Sequence, residues 1–174
     1  MSMDFITALT TRRSVRSFLP DDIPDSKVVK LITAATLAPT AGNMQAWYFY
    51  MVRHDYLKRK LSELALNQRF IAQAPVVIVV CADLDRAKAA YRERGEELYA
   101  IQDAAAATQN LLLAAHASGL GACWVGAFDE QAASDLLDLP PRYRPLALVP
   151  IGKAAHQPSN PGRRSIAEIF SEID

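Results

Sequence analysis

Val76-Val77-Ile78-Val79-Val80-Cys81 is an unbroken apolar run whose first five side chains are β-branched. A strand lying half in water alternates apolar and polar residues, so a run without alternation predicts a strand covered on both faces. Helices must then flank the sheet, and the chain on either side of residue 76 supplies them. Upstream, Tyr48 to Arg53 reads as a strand and Asp55 to Leu66 as a helix, with Leu57, Leu61 and Leu64 at helical spacing. Downstream, a charged amphipathic helix from Leu84 to Leu98 precedes an alanine-rich, almost wholly apolar helix from Ile101 to Ser118 that ends at Gly119. Leu120 to Val125 and Leu146 to Val149 read as further strands, separated by a helix that Asp129 caps and Pro140-Pro141 closes. At the start, Asp4 to Leu9 forms a short helix, and Asp25 or Ser26 caps a second one running to about Ala38. The pattern is α+β, mixed helices and strands in layers.

At 174 residues and 51% hydrophobic content, the chain can bury one sizeable core, and residues 1–174 are expected to form a single domain. Lysine plus arginine equals aspartate plus glutamate, 19 against 19, so no bulk field draws the molecule to nucleic acid or an anionic membrane. Any anion site must be local. Cys81 and Cys123 lie in apolar strand-like runs without CxxC spacing, which reads as buried reduced thiols. Met1-Ser2-Met3-Asp4-Phe5 lacks the charged start and apolar core of a signal peptide, and no run reaches membrane-spanning length, so a cytoplasmic location is expected.

Two clusters stand out as able to hold a ligand. Arg12-Arg13-Ser14-Val15-Arg16 packs three guanidinium groups and a hydroxyl into five residues, a set that can clamp phosphate oxygens or, alternatively, cap a helix and pair with Asp21 and Asp22. Pro39-Thr40-Ala41-Gly42-Asn43-Met44-Gln45-Ala46-Trp47 wedges a hydroxyl, two side-chain amides and a glycine between a helix and a strand, where they can hydrogen-bond a planar polar ligand. Lys153 with Arg163-Arg164 supplies a second basic group in an irregular stretch interrupted by Pro158, Pro161 and Gly162, either an anion site or a solvated arm. Trp124 follows small residues at a strand end, Gly121-Ala122-Cys123, which let a flat ligand approach the backbone. GxGxxG and GxxxxGK[ST] are absent, and His54, His116 and His156 are scattered without HExxH, so dinucleotide, triphosphate, metal and triad chemistry gain no support.

Taken in order, Arg12 to Arg16, Pro39 to Trp47, Ala74-Pro75 leading into the valine run, the central helix with Gly119-Leu120-Gly121, and Pro150-Ile151-Gly152 resemble the FMN-dependent nitroreductase family along nearly the whole chain. The resemblance implies a three-layer fold, a central mostly antiparallel sheet flanked by helices, and a homodimer with an exchanged C-terminal arm carrying Ile166, Ile169 and Phe170. It implies that Arg12 and Arg163 hold the FMN phosphate, with Arg13 in the same cluster, that Ser14 hydrogen-bonds the cofactor, and that Arg16 sits near the pyrimidine edge of the ring. Pro39, Thr40, Ala41, Asn43 and Gln45 correspond to a loop laid against the flavin by the partner subunit, and Asn67 to an amide near the ring. Trp124, Val125, Gly126 and Ala127 match the segment passing the reactive N5, where the N–H of Gly126 or Ala127 donates. Ala46 in place of proline, Gly126-Ala127 in place of an acid-glycine pair, and Pro161 in place of a lysine depart from the family pattern.

The implied activity is ping-pong transfer of hydride from NADH or NADPH through FMN to a nitroaromatic, quinone or similar acceptor, with no catalytic side chain beyond the flavin's own chemistry and no metal. Other flavin reactions on the same fold, such as reductive dehalogenation, flavin fragmentation or ene reduction, remain open. So does a non-catalytic FMN sensor or storage protein.

Overall fold

The computed structural model describes residues 3–173; Met1 and Ser2, part of the segment read above for a leader, lie outside them. Four strands, β1 (Trp47–Val52), β2 (Val76–Asp83), β3 (Gly121–Ala122) and β4 (Tyr143–Gly152), form one sheet in the order β1-β2-β4-β3. Every neighbouring pair of these strands is antiparallel. All eight residues of β2 are buried, as the unalternating run demands. Val76, Ile78 and Val80 turn to one face, where they pack with α2 (Asp25–Ala35) and α6 (Ala100–Ala117). Val77, Val79 and Cys81 turn to the other, against Leu61 of α3 (Asp55–Leu64), Ile71 of α4 (Phe70–Gln73) and Ala133 of α7 (Glu130–Leu137). The period of two along β2 thus divides the interior into two cores, giving a helix, sheet and helix sandwich.

α1 (Phe5–Thr11) starts where Asp4 accepts the Thr7 N–H at 3.0 Å. α7 starts in the same way from Asp129, which accepts the Ala132 N–H at 2.9 Å. α2 differs from expectation: Pro24 occupies the cap without a side-chain acceptor, and Asp25 inside the first turn pairs with Arg53 at 2.8 Å. It also ends at Ala35 rather than Ala38, in a tighter turn before Pro39.

The charged segment after β2 is not one helix. α5 (Leu84–Arg94) breaks at Arg92, whose φ of 52° and ψ of −141° lie outside helical space, and a π-helical turn over Gly95–Tyr99 leads into α6. Gly95 permits the break, because a Cβ there would collide with the Ala87 carbonyl across the fold-back. Lys88 pairs with Glu96 at 2.6 Å and Tyr91 meets Tyr99 edge-on at 5.1 Å, bracing the two arms.

The expected strand over Leu120–Val125 shortens to two residues. Beyond Ala122 the Cys123 N–H still reaches the Pro150 carbonyl at 3.4 Å, and Val125 then makes a reciprocal pair of backbone bonds with Leu148, each at 2.9 Å. β4 is longer than Leu146–Val149 because Pro145 falls at the register shift opposite Val80 and Cys81, where a missing N–H is tolerated. Both cysteines are free and buried, and burial pushes the Cys81 thiol up to about 12.

Ile78 is fully buried at the centre of the sheet. Ile78→Ala should cost about 2–5 kcal/mol by urea unfolding, the range for large-to-small changes in a packed core. A loss well under 1 kcal/mol, about the size of one methylene's burial, would show that β2 is not the sealed centre described.

Candidate functional site

The arginine segment is positioned by backbone pairing at the sheet edge. Ser14 forms a parallel bridge with Ala122, and the Val15 N–H donates to the Ala122 carbonyl at 3.0 Å. Leu19 then donates to Lys153 at 2.9 Å, and Ala155 donates to Ser17 at 3.0 Å. Residues 14–19 are thereby held between β3 and the chain leaving β4. That arrangement carries Arg12, Arg13, Ser14 and Arg16 to face Pro158, Ser159, Pro161 and Arg163 across a cavity of about 460 Å³. Residues separated by some 150 positions in sequence meet here, joined by Ser159, which the sequence did not single out, and by Pro158, read there only as a break in the chain.

No carboxylate lines this cavity, and none of its four arginines makes an ion pair among the described residues. The alternative pairing with Asp21 and Asp22 is not realised. Asp22 binds Arg53 at 2.7 Å, and Asp21 lies 3.6 Å from Lys153. Arg13 does cap α1, donating at 2.8 Å to the carbonyls of Thr10 and Arg12, so the capping alternative holds for that residue while its side chain also borders the cavity. Burial, then the charges of Arg163 and Arg13, hold the Arg12 guanidinium below its ordinary value. Cations crowded together without a counter-charge destabilise one another, and a bound dianion relieves that repulsion.

Burial raises the Cys123 thiol, an effect opposed by Arg16, Ser14 and Arg12. From Cys123 the chain passes to Trp124, 39% exposed, and then to Gly126 and Ala127. Val125 spends its N–H on Leu148, but the exposed N–H groups of Gly126 and Ala127 donate to no group among the described residues.

The Pro39–Gln45 loop lies elsewhere. Gly42, Asn43 and Gln45 adopt φ of 53°, 56° and 53°, a left-handed excursion that turns the Pro39, Asn43 and Gln45 side chains outward to solvent. Thr40 Oγ1 accepts the Gln45 N–H at 3.0 Å, and Asp103 Oδ1 on α6 accepts the Ala41 N–H at 3.1 Å. Arg86 Nε donates to the Met44 carbonyl, and the Tyr91 hydroxyl packs where a Gly42 Cβ would stand. Within one chain neither a hydrogen bond nor a shared cavity joins this loop to the arginines, among the described residues. Asn67 is likewise apart, exposed in a left-handed turn after α3 with φ of 58°. Lys153 and Arg164 are also drawn away, the first to Asp21 and the second to the Glu168 carbonyl at 2.9 Å. Asp103, Arg86 and Tyr91 were not singled out in the sequence; the one usable signal was a lone acid in the alanine-rich run Ile101 to Ala107.

Among the described residues no group of three or more His, Cys, Asp or Glu is placed to hold a metal, and no helix is long and apolar enough to cross a membrane. A three-layer α+β fold carries, at its sheet edge, a cationic cavity whose charges no carboxylate offsets among the described residues. The Nitroreductase family model matches residues 9–68 and 56–153, and the chain belongs to that family. A candidate NADH dehydrogenase/NAD(P)H nitroreductase of Methanothermobacter thermautotrophicus is 32% identical over 168 residues, covering 94% of this chain and 83% of that protein. An FMN reductase [NAD(P)H] of Bacillus subtilis is 34% identical over 165 residues, covering 87% of this chain and 66% of the relative. The solved structure of B. megaterium NfrA2 superposes with a TM-score of 0.90 at 27% identity, covering 97% of this chain and 74% of that one.

Inorganic phosphate should raise the melting temperature of the protein as a ligand of the native state alone. Arg12→Ala and Arg163→Ala should each lose that rise while melting no lower than wild type without phosphate, because each removes a repelled charge. An equal phosphate response in all three proteins would contradict the site.

Proposed function

We propose that residues 1–174 act as one FMN-binding domain of a homodimer that transfers hydride from NADH or NADPH to nitroaromatic, quinone or similar electron-poor acceptors. The class itself, an FMN-dependent NAD(P)H oxidoreductase, follows from family membership and from relatives named NAD(P)H nitroreductase and FMN reductase. The observation that carries the reading of the site is Arg12, half-buried among like charges with no carboxylate partner. A phosphate monoester supplies the missing negative charge and matches the paired donors of a guanidinium. Among family ligands, FMN carries such a group, and the free amides of Gly126 and Ala127 offer donors for its ring.

FMN, when bound, would supply the hydride-transfer chemistry between nicotinamide and acceptor. In this reading Arg12 and Arg163 neutralise the phosphate, Arg13 adds its charge from the α1 cap, and the Ser14 hydroxyl hydrogen-bonds the cofactor. Arg16 places positive charge where negative charge gathers on reduction. Gly126 or Ala127 donates its N–H to the ring, a role closed to Val125 by its bond to Leu148. Trp124 walls the same edge. Pro39, Thr40, Ala41, Asn43 and Gln45 are delivered by the second subunit, in keeping with their separation from the arginines of their own chain, and Asn67 reaches the ring from its exposed turn.

The arm supports the homodimer. Ile166, Ile169, Phe170 and Ile173 are 57–95% exposed, an apolar set with no cover in its own chain, and a second subunit is the natural cover. A cytoplasmic location, with a small-molecule acceptor and neither nucleic acid nor membrane as partner, completes the proposal.

Arg12→Ala should weaken FMN binding by about 1.5–3 kcal/mol, the scale of a charge-assisted hydrogen bond, as read by fluorescence titration. Arg16→Ala should instead retain FMN and lower its reduction potential. Initial rates with NADH and a quinone should give parallel double-reciprocal lines; intersecting lines would exclude the alternating cycle, and no turnover at all would leave an FMN-binding protein without this activity. Deleting residues 165–174, which spares Arg163, should give a monomer by light scattering that no longer retains FMN. A yellow dimer lacking the arm would contradict the assembly.

A further inference from the structure

We infer that Asp103 is a positioning residue for the flavin: from inside one subunit it fixes the Thr40–Gln45 loop that completes the partner's cofactor site. This rests on the proposed FMN dimer. Asp103 is 4% exposed and sits on α6 among the small side chains Ala100, Ala104 and Ala107. Its Oδ1 accepts the Ala41 N–H at 3.1 Å, while its buried Oδ2 has no hydrogen-bond partner. Burial raises the carboxyl, opposed only by the amides of Ala41 and Ala46, at the two ends of the loop. No charged side chain contributes to that balance.

A buried carboxylate with one oxygen left without a bond is a costly way to hold a stretch of loop backbone. Its compensation is stiffness. The loop between Ala41 and Ala46 has three residues in left-handed backbone and offers its polar side chains to solvent. Its other supports, Arg86 and Tyr91, come from the exposed face of α5, ahead of the break at Arg92. Asp103 ties its Ala41 end to the protein interior through a charge-assisted bond from the helix that packs on the sheet, while the Asp83 N–H holds the Ala46 carbonyl at the other end at 3.1 Å. A loop fixed in this way presents Thr40, Asn43 and Gln45 at a set height for a ligand outside its own chain.

The placement predicts an effect that crosses the subunit boundary. Asp103→Ala should lower FMN affinity roughly tenfold or more, the fold-change expected from loss of a charge-assisted hydrogen bond. Asp103→Asn keeps an acceptor for Ala41 and should remain within about threefold of wild type, less than one hydrogen bond's worth. Both should stay dimeric. Should Asp103→Ala not fold, Asp103→Ser, too short to reach Ala41, takes its place with the same expectation.

The deciding experiment purifies mixed dimers from differently tagged Asp103→Ala and Arg12→Ala chains. If the loop serves the partner, one site pairs the intact arginines of the first chain with the intact loop of the second, and about one tight FMN is recovered per two chains. If the loop serves its own chain, both sites carry one defect and tight binding is absent, which overturns the inference. Wild-type affinity in Asp103→Ala homodimers also overturns it, with the flavin reading left standing. A wild-type protein that takes up no FMN overturns both.

Discussion

A strand sealed from water on both faces must satisfy every backbone group through its neighbours and cover every side chain with another element. β2 imposes that constraint over eight residues, and the rest of the architecture answers it. β1 and β4 take its hydrogen bonds, α2 and α6 cover one face, and α3, α4 and α7 cover the other. With β4 fixed at the side of β2, its outer edge receives the two residues of β3 and the bridge to Val125, and the residues around Ser14 and Val15 pair on the far side of β3. The cationic cavity is built on this edge. Its position follows from the burial of a strand that contributes no residue to it.

The sheet and the site pull in opposite directions energetically. β2 gains from every apolar contact it makes, whereas the four arginines around the cavity repel one another and Arg12 is partly desolvated besides. The left-handed run at Gly42, Asn43 and Gln45 and the half-satisfied Asp103 are further local costs. These costs sit on a rigid scaffold that holds them in place, which is the usual arrangement where a protein is shaped for a ligand that it does not itself contain.

Much of this was legible in the sequence because the signals were strong and local. An unalternating β-branched run fixes a doubly covered strand, and leucines at helical spacing fix α3. Arg12, Ser14, Arg16 and Arg163 were named from a family resemblance, and the fold does bring them round one cavity. What escaped the reading depends on tertiary contact. Arg92 interrupts a sequence of good helix formers because Gly95 folds back onto Ala87, and nothing near Arg92 announces it. α4 is four residues long, too short for any periodicity to register. β3 is flanked on one side by β4 and on the other by the residues around Ser14, more than a hundred positions away, a pairing no local pattern signals. Asp103 looked like one acid in an alanine helix, and only the fold sets it beneath the Ala41 amide.

An FMN-dependent oxidoreductase assembled around the uncompensated arginines has a colour that responds to its electron donor. The most direct test is the visible spectrum of the FMN-loaded protein under anaerobic conditions, before and after NADH or NADPH. Bleaching of the flavin bands by at least one of these donors, with recovery of colour when a quinone is added, is the predicted result. A protein that cannot be loaded with FMN, or a bound flavin that neither nucleotide bleaches, would contradict the claim.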